Sequence, residues 1–213
     1  MANNFGKNWT TNNNNYPLDS KEVERYLSVK PSENQLTLVD KPFYTFMHFG
    51  MNTATDREWG AGVEKASDFT IKSINAKQWV DTAKQAGATG VILTCKHHDG
   101  FCLWPSEYTD FCVKNSSYNG DIVKEVSDEC HRQGMDFGVY LSPWDMHDER
   151  YGTDAYNDYF CNQLTELLTN YGEIFEVWFD GANEDTMKLL FAGELLHIGK
   201  NSSFGFGEYQ VMW

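Results

Sequence analysis

Four apolar runs in this 213-residue chain end in side chains able to do chemistry. His48 lies at the end of "FYTFMHF", His97, His98 and Asp99 follow "GVILTC", Tyr140 and Ser142 lie in "DFGVYLS", and Asp180 ends "IFEVWFD" just before Gly181. A carboxylate that can attack or take a proton, set among imidazoles and hydroxyls that bind polar groups, is the equipment of a hydrolytic or polar-ligand site. Asp-Gly is also an ordinary turn signal, so Asp180 taken alone reads first as a turn or helix cap. The stronger signal is that four strand ends carry such groups, because side chains at the carboxyl ends of parallel strands face the ligand. Nearby, "TDREWGAG" supplies Arg57, Glu58 and Trp59, and "GFCLWPS" supplies Trp104. Aromatic faces beside directional hydrogen-bonding groups suit a sugar, whose C–H faces stack while its hydroxyls need partners; core packing is the competing reading for Trp104.

The elements that must position these groups follow from periodicity. After an Asn-rich and then charged lead-in over residues 1–42, with a short helix expected from Ser20 to Tyr26, a β/α alternation begins at Phe43. "FYTFMHF" is a strand, "NAKQWVDTAKQAG" a helix closed by Gly87, and "GVILTC" the next strand. "DIVKEVSDECHRQG" is a helix with Asp121 as N-cap and Gly134 after it, "DFGVYLS" a third strand, Asp154 to Tyr171 a longer helix, and "IFEVWFD" a fourth strand. Strands joined by helices imply an α/β fold with a parallel sheet.

Composition narrows the partners. A formal net charge of -14 repels polyanions, which disfavours nonspecific nucleic-acid binding and attraction to an anionic membrane, whereas a neutral sugar fits. The five cysteines Cys95, Cys102, Cys112, Cys130 and Cys161 are odd in number and lack metal-like pairing, so reduced thiols are expected. The start "MANNFGKNWTTNNNN" lacks the apolar core of a signal peptide, and no run approaches a membrane span of roughly 18 apolar residues, so the chain as written reads as cytoplasmic.

The stretches "FMHFGMNTATDREWGAG", "AKQWVDTAKQAGATGVILTCKHHDGFCLWPSEYTD", "GVYLSPWD" and "VWFDGANED" resemble the α-L-fucosidases of glycoside hydrolase family 29, from about Tyr44 to Asp185. The resemblance implies a retaining hydrolase of fucosylated glycans or small fucosides on a (β/α)8-like barrel, with no cofactor and no metal. It makes Asp180 of "WFDG" the nucleophile on the anomeric carbon. It places His48, His97 and His98 against the sugar hydroxyls, with Glu58, Trp59, Tyr140 and Trp178 lining the pocket. No motif selects the acid/base; Glu58, Asp145, Glu149, Glu184 and Glu208 are the carboxylates considered. Such barrels need about 250 residues. The expectation is therefore a partial (β/α)8 TIM-like barrel of about four β/α units over residues 43–185, prone to self-association through its open edge and inactive if the missing half is essential.

Residues 186–213 are expected to form a separate unit, an apolar helix from Met187 to His197 followed by a glycine-rich tail. Its "HIGK" and "FGFG" resemble the carboxyl-terminal end of CRISPR-associated RNA endonucleases, which implies that Lys200 and the backbone of Gly199 to Gly207 approach RNA phosphates and that unrelated sequences join near Asp185 and Thr186. Three alternatives stay open: a noncatalytic fucose-binding remnant, a metal-dependent hydrolase using His48, His97, His98 and Asp180, and an RNA-binding role through the tail.

Overall fold

Apolar spacing sorts most of the chain into strands and the helices that cover them. The computed structural model describes residues 21, 33–41 and 43–180. Their elements are α1 (Glu33–Val39), β1 (Tyr44–Met47), α2 (Met51–Thr55), α3 (Ala76–Gln85), β2 (Gly90–Lys96), α4 (Ile122–Gln133), β3 (Asp136–Leu141), α5 (Asp154–Asn170) and β4 (Val177–Trp178). The Ser20–Tyr26 helix, apart from residue 21, and everything expected from Gly181 onward lie outside the described residues.

The four strands form one parallel sheet in the order β1-β2-β3-β4, and each connection carries a helix: α3, α4, then α5. β2 is buried along its whole length, which explains why its sequence is a continuous apolar run instead of an alternation. Register pairs Tyr44 with Gly90, Gly90 with Asp136 and Tyr140 with Trp178. An irregularity between Thr94 and Lys96 then shifts the register, so that Lys96 pairs with Leu141 just before the paired histidines.

Capping sets where the helices begin and end. Asn75 Oδ1 accepts from the Gln78 backbone N–H at 3.0 Å, and Asp121 Oδ1 from that of Lys124 at 2.9 Å. Gly134 ends α4 at φ 67, a left-handed conformation that glycine adopts without penalty. α5 buries Tyr156, Tyr159, Phe160, Leu164, Leu167 and Leu168, a stripe spaced by three and four that packs into the shared core.

The sheet is strongly curled. β1 and β4 are its opposite edges, yet the Phe46 and Trp178 rings meet edge-on at 5.0 Å, and Tyr44 meets Phe175, just before β4, at 5.5 Å. One face of the sheet is therefore concave, and aromatic side chains span it.

Two expected strands are shorter than their apolar runs. β1 covers Tyr44–Met47 where Phe43 to Phe49 was expected, because Gly50 and Met51 at once open α2. β4 covers only Val177–Trp178, although Phe175 N–H also donates to the Phe137 carbonyl at 3.0 Å. Among the described residues β4 pairs with β3 alone. Helix α1 was not foreseen, since the one helix expected in the lead-in was Ser20 to Tyr26.

Candidate active site

The carboxyl ends of the four strands bring the expected groups together on the concave face. His48 follows β1, His97 and His98 follow β2, Tyr140 ends β3 beside Ser142, and Asp180 follows β4. The His48 ring lies 5.8 Å from His97 and 5.7 Å from Tyr140, and His97 stacks on Tyr140 at 5.7 Å. Tyr140 donates its hydroxyl to Asp180 Oδ2 at 2.9 Å, and His98 Nε2 sits 3.8 Å from the same oxygen. Five residues from four strand ends thus share one patch, which is what parallel-strand topology predicts for them.

Trp59 reaches this patch from the loop after α2. Its ring stands edge-on to His98 at 5.6 Å and to Trp144 at 5.8 Å, and it remains 49% exposed, so it forms a wall open to a ligand. Glu58, next to Trp59 in the chain, is exposed. Trp178 is 41% exposed and meets Phe46, whose ring stacks on His48 at 5.8 Å, so the pair forms a second wall. Trp144 and Phe46 were not singled out in the sequence. The signal for Phe46 was its place two residues before His48 on an alternating strand; for Trp144 it was an aromatic in "SPWD" just beyond a strand end.

Other sequence candidates lie elsewhere. Trp104 is 1% exposed and donates its indole N–H to Glu166 Oε2 at 2.8 Å, so it packs the core. Arg57 approaches Glu64 at 3.6 Å. Asp145, one of the carboxylates considered as acid/base, is 2% exposed and bound to Lys96 Nζ at 3.0 Å, which removes it from the ligand face. Glu149 is exposed on the loop after β3, and Glu184 and Glu208 lie outside the described residues. Among the described residues, no three His, Cys, Asp or Glu side chains are grouped to hold a metal ion. All five cysteines are free thiols, four of them buried.

Burial dominates the electrostatics. It pushes His97 down from 6.5 to about 4, helped by His98 and His48 and opposed by Asp180. His98 is also lowered, by burial first, against the pull of Asp180. Both imidazoles are therefore neutral at pH 7 and can bind hydroxyls without charge. Burial, then the bond to Asp180, raises the Tyr140 phenol far above its ordinary value, which keeps it a donor.

Asp99 turns away from the patch. Its Oδ1 accepts the Phe101 N–H at 2.8 Å, and its side chain lies where a Cβ on Gly60 would fall, only 2.4 Å from Asp99 Cβ. Asp99 therefore braces the loop that carries Trp59, and a side chain at position 60 would displace that loop. Burial pushes the Asp99 carboxyl from 3.8 up to about 6, with Glu64 and Asp145 adding repulsion. Below about pH 4 both folded and unfolded chains hold this proton; between 4 and 6 only the folded chain does, so ionisation costs stability as pH rises. Asp99→Asn keeps the bond from Phe101 and removes the charge. It is expected to stabilise the fold by about 2–3 kcal/mol at pH 7, with the gain vanishing near pH 4, as urea unfolding of both proteins across that range would read. An equal gain at both pH values would show that the carboxyl does not titrate there.

Comparison with known proteins places this geometry. A sequence profile described as "Alpha-L-fucosidase" matches residues 40–205, continuing past Asp185, where the sequence reading set its junction. The chain is 52% identical over 162 residues to α-L-fucosidase 1 of Arabidopsis thaliana, covering 74% of this chain and 32% of that protein. Among solved structures, a glycoside hydrolase 29 family member from an unknown rumen bacterium superposes with a TM-score of 0.69 at 55% identity, over 72% of this chain and 28% of that one. A Ruminococcus gnavus GH29 fucosidase in complex with fucose superposes with a TM-score of 0.65 at 40% identity, over 73% of this chain and 36% of that one. The chain spans about a third of the length of the curated relatives it matches.

Proposed function

The chain belongs to the α-L-fucosidase family, and from that premise we propose that its concave face binds the terminal α-L-fucose of a glycan or small fucoside and that Asp180 attacks the anomeric carbon. The observation that carries the reading is the meeting of Asp180, Tyr140 and His98 at the ends of three adjacent parallel strands. The curl that brings β1 and β4 side chains into contact supports the finer reading of the sheet as part of a (β/α)8 barrel, whose ligands bind at this end.

In the proposed reaction a fucoside lies between the Trp59 and Trp178 walls with its hydroxyls on His48, His97 and His98. Tyr140 donates to Asp180 Oδ2, which orients the carboxylate so that Oδ1 attacks. The bond from Oδ1 to the anomeric carbon forms as the bond to the leaving oxygen breaks, giving a glycosyl-enzyme of inverted configuration. Water then displaces Asp180 with a second inversion, so configuration is retained overall. That mechanism needs a second carboxyl about 5 Å from the nucleophile to protonate the leaving oxygen and then activate water. Glu58 and Glu149 are the exposed carboxylates of the considered set on described loops.

A substrate with a leaving group that needs no proton isolates the part of this chemistry assigned here. Incubation with 2-deoxy-2-fluoro-α-L-fucosyl fluoride is expected to add one fluorofucosyl unit to the intact protein, with the adduct on Asp180 in peptide mapping. A folded chain that stays unlabelled, or carries the label on another residue, would overturn the assignment.

A further inference from the structure

His98 and Ser142 are both buried, at 5% and 0% exposure, and His98 Nδ1 lies 2.7 Å from Ser142 Oγ. A serine hydroxyl carries a single proton. Here its neighbours compete for it: the Trp144 carbonyl oxygen at 2.7 Å and the Asp180 carbonyl oxygen at 3.4 Å can only accept. With the hydroxyl proton committed to the Trp144 carbonyl, the remaining short contact to Ser142 Oγ is satisfied only if His98 supplies the hydrogen from Nδ1. The alternative, an unprotonated Nδ1 facing Ser142, would pull the hydroxyl proton to the ring and leave the carbonyl of Trp144, a residue that packs on His98 at 4.7 Å, without its donor.

We infer that Ser142 is a positioning residue that fixes His98 in the Nδ1–H tautomer, so that the neutral ring turns a bare Nε2 lone pair, a hydrogen-bond acceptor, toward the ligand. On the proposed fucoside reading, that nitrogen accepts from a sugar hydroxyl. It also leaves Asp180 unquenched. In the opposite tautomer an Nε2–H would sit 3.8 Å from Asp180 Oδ2, close enough to swing onto the carboxylate and compete with attack. In the Nδ1–H form the two acceptors face one another, and a ligand hydroxyl that donates to Nε2 relieves the repulsion. The inference explains why the sequence places a small hydroxyl residue immediately after β3: a larger side chain would not fit at a fully buried position, and alanine would leave the ring's tautomer to its surroundings.

The test reads the tautomer itself. Protein labelled with 15N-histidine is examined by two-bond 1H–15N correlation at pH 7.5, with His98→Gln used to identify the His98 signals. The expected pattern is that of a neutral ring protonated on Nδ1 and bare on Nε2. A pattern of Nε2–H in the unaltered protein overturns the inference, whatever the protein does with fucosides. Ser142→Ala is expected to convert the signal wholly or partly to the Nε2–H form and to weaken fucose binding about tenfold, the worth of one hydrogen bond at 1.4 kcal/mol per factor of ten. Retention of the Nδ1–H form in Ser142→Ala would show that another group sets the tautomer and would also overturn the role of Ser142. Should Ser142→Ala not fold, Ser142→Cys keeps a weak donor and enlarges the side chain by no more than the exchange of oxygen for sulfur, and an Nδ1–H signal that persists there only in part supports the assignment, whereas a signal unchanged from the serine protein counts against it. Failure of the chain to bind fucose at all, with the Nδ1–H pattern present, would strike the fucoside reading alone.

Discussion

Asp180→Ala is expected to abolish capture of the fluorofucosyl group and to slow release of nitrophenol from 4-nitrophenyl α-L-fucoside by about 10⁴-fold or more, the scale on which loss of a nucleophile acts in other enzymes. The size follows from the role. A residue that only oriented the sugar would contribute one or two hydrogen bonds and cost roughly ten- to a hundredfold, whereas loss of the atom that forms the intermediate removes the pathway. Binding should survive, because the groups assigned to the hydroxyls are His48, His97 and His98, and the walls are Trp59 and Trp178. Tyr140 would lose its acceptor, but Asp180 is half-exposed, so water can enter the space its carboxylate vacates and accept from the buried Tyr140 hydroxyl. A diagnostic rescue follows from geometry. With the carboxylate gone, azide can enter the vacated space beneath the anomeric carbon and attack there, giving β-fucosyl azide by a single inversion. Measured turnover that is unchanged in Asp180→Ala, or rescue that gives the α-azide, would refute the nucleophile assignment. Because nitrophenolate leaves without a proton, the first step can proceed without the acid. A burst of nitrophenol equal to the enzyme present, followed by slow turnover, would therefore mean that water activation is the step left without its carboxylate.

The strands that carry this site were legible because their patterns are strong. β2 is an unbroken apolar run buried on both faces, α4 is bounded by Asp121 and Gly134, and the long apolar stripe of α5 fixes its covered side. From these alone the strand ends and their polar residues could be lined up on one face of a sheet. What was not legible depended on where side chains turn after leaving the ladder. Asp99 follows the two histidines directly, yet the chain turns at Gly100, φ 84, and sends the carboxylate under Gly60 instead of into the patch. Asp145 looked like a free carboxylate on a loop after a strand end. Its use became clear only with Lys96, a residue whose charge at the end of a buried strand gave no hint of its partner 49 positions on. Trp104 and Trp59 are alike as letters beside motifs, and only the position of Glu166 on α5 separates the core tryptophan from the wall. Local patterns specify elements; long-range pairings decide which polar groups serve the ligand.

Asp145→Ala is expected to destabilise the fold by at least about 3–5 kcal/mol, the cost of leaving one member of a buried ion pair without its partner. Lys96 is fully buried, bound to Asp145 Oδ2 at 3.0 Å and to the Tyr156 hydroxyl at 3.3 Å, with the rings of Tyr156, Tyr159 and Phe160 at 5.5, 5.2 and 5.6 Å. The rings ease the burial of an ammonium group but do not neutralise it. Asp145 Oδ1 meanwhile accepts the backbone N–H groups of His147 at 3.0 Å and Asp148 at 2.9 Å, so its loss also orphans donors in the loop that carries Trp144. Against a typical domain stability of about 5–15 kcal/mol, the variant should be largely unfolded or melt far below the unaltered chain. Lys96→Met is expected to cost less, because Asp145 keeps both backbone donors and the thioether fills the aromatic cage. Combining Lys96→Met with Asp145→Asn, which retains an acceptor for the loop, should recover much of the loss, since no charge is then buried. Thermal unfolding of the three variants ranks them. If Asp145→Ala proves no worse than Lys96→Met, the pair is held by solvent rather than by the interior, and the loop bearing Trp144 is anchored by something other than Asp145. If the ranking holds but the recovered double variant no longer captures the fluorofucosyl group, the ion pair fixes the site as well as the fold, through the strand that ends in His97 and His98.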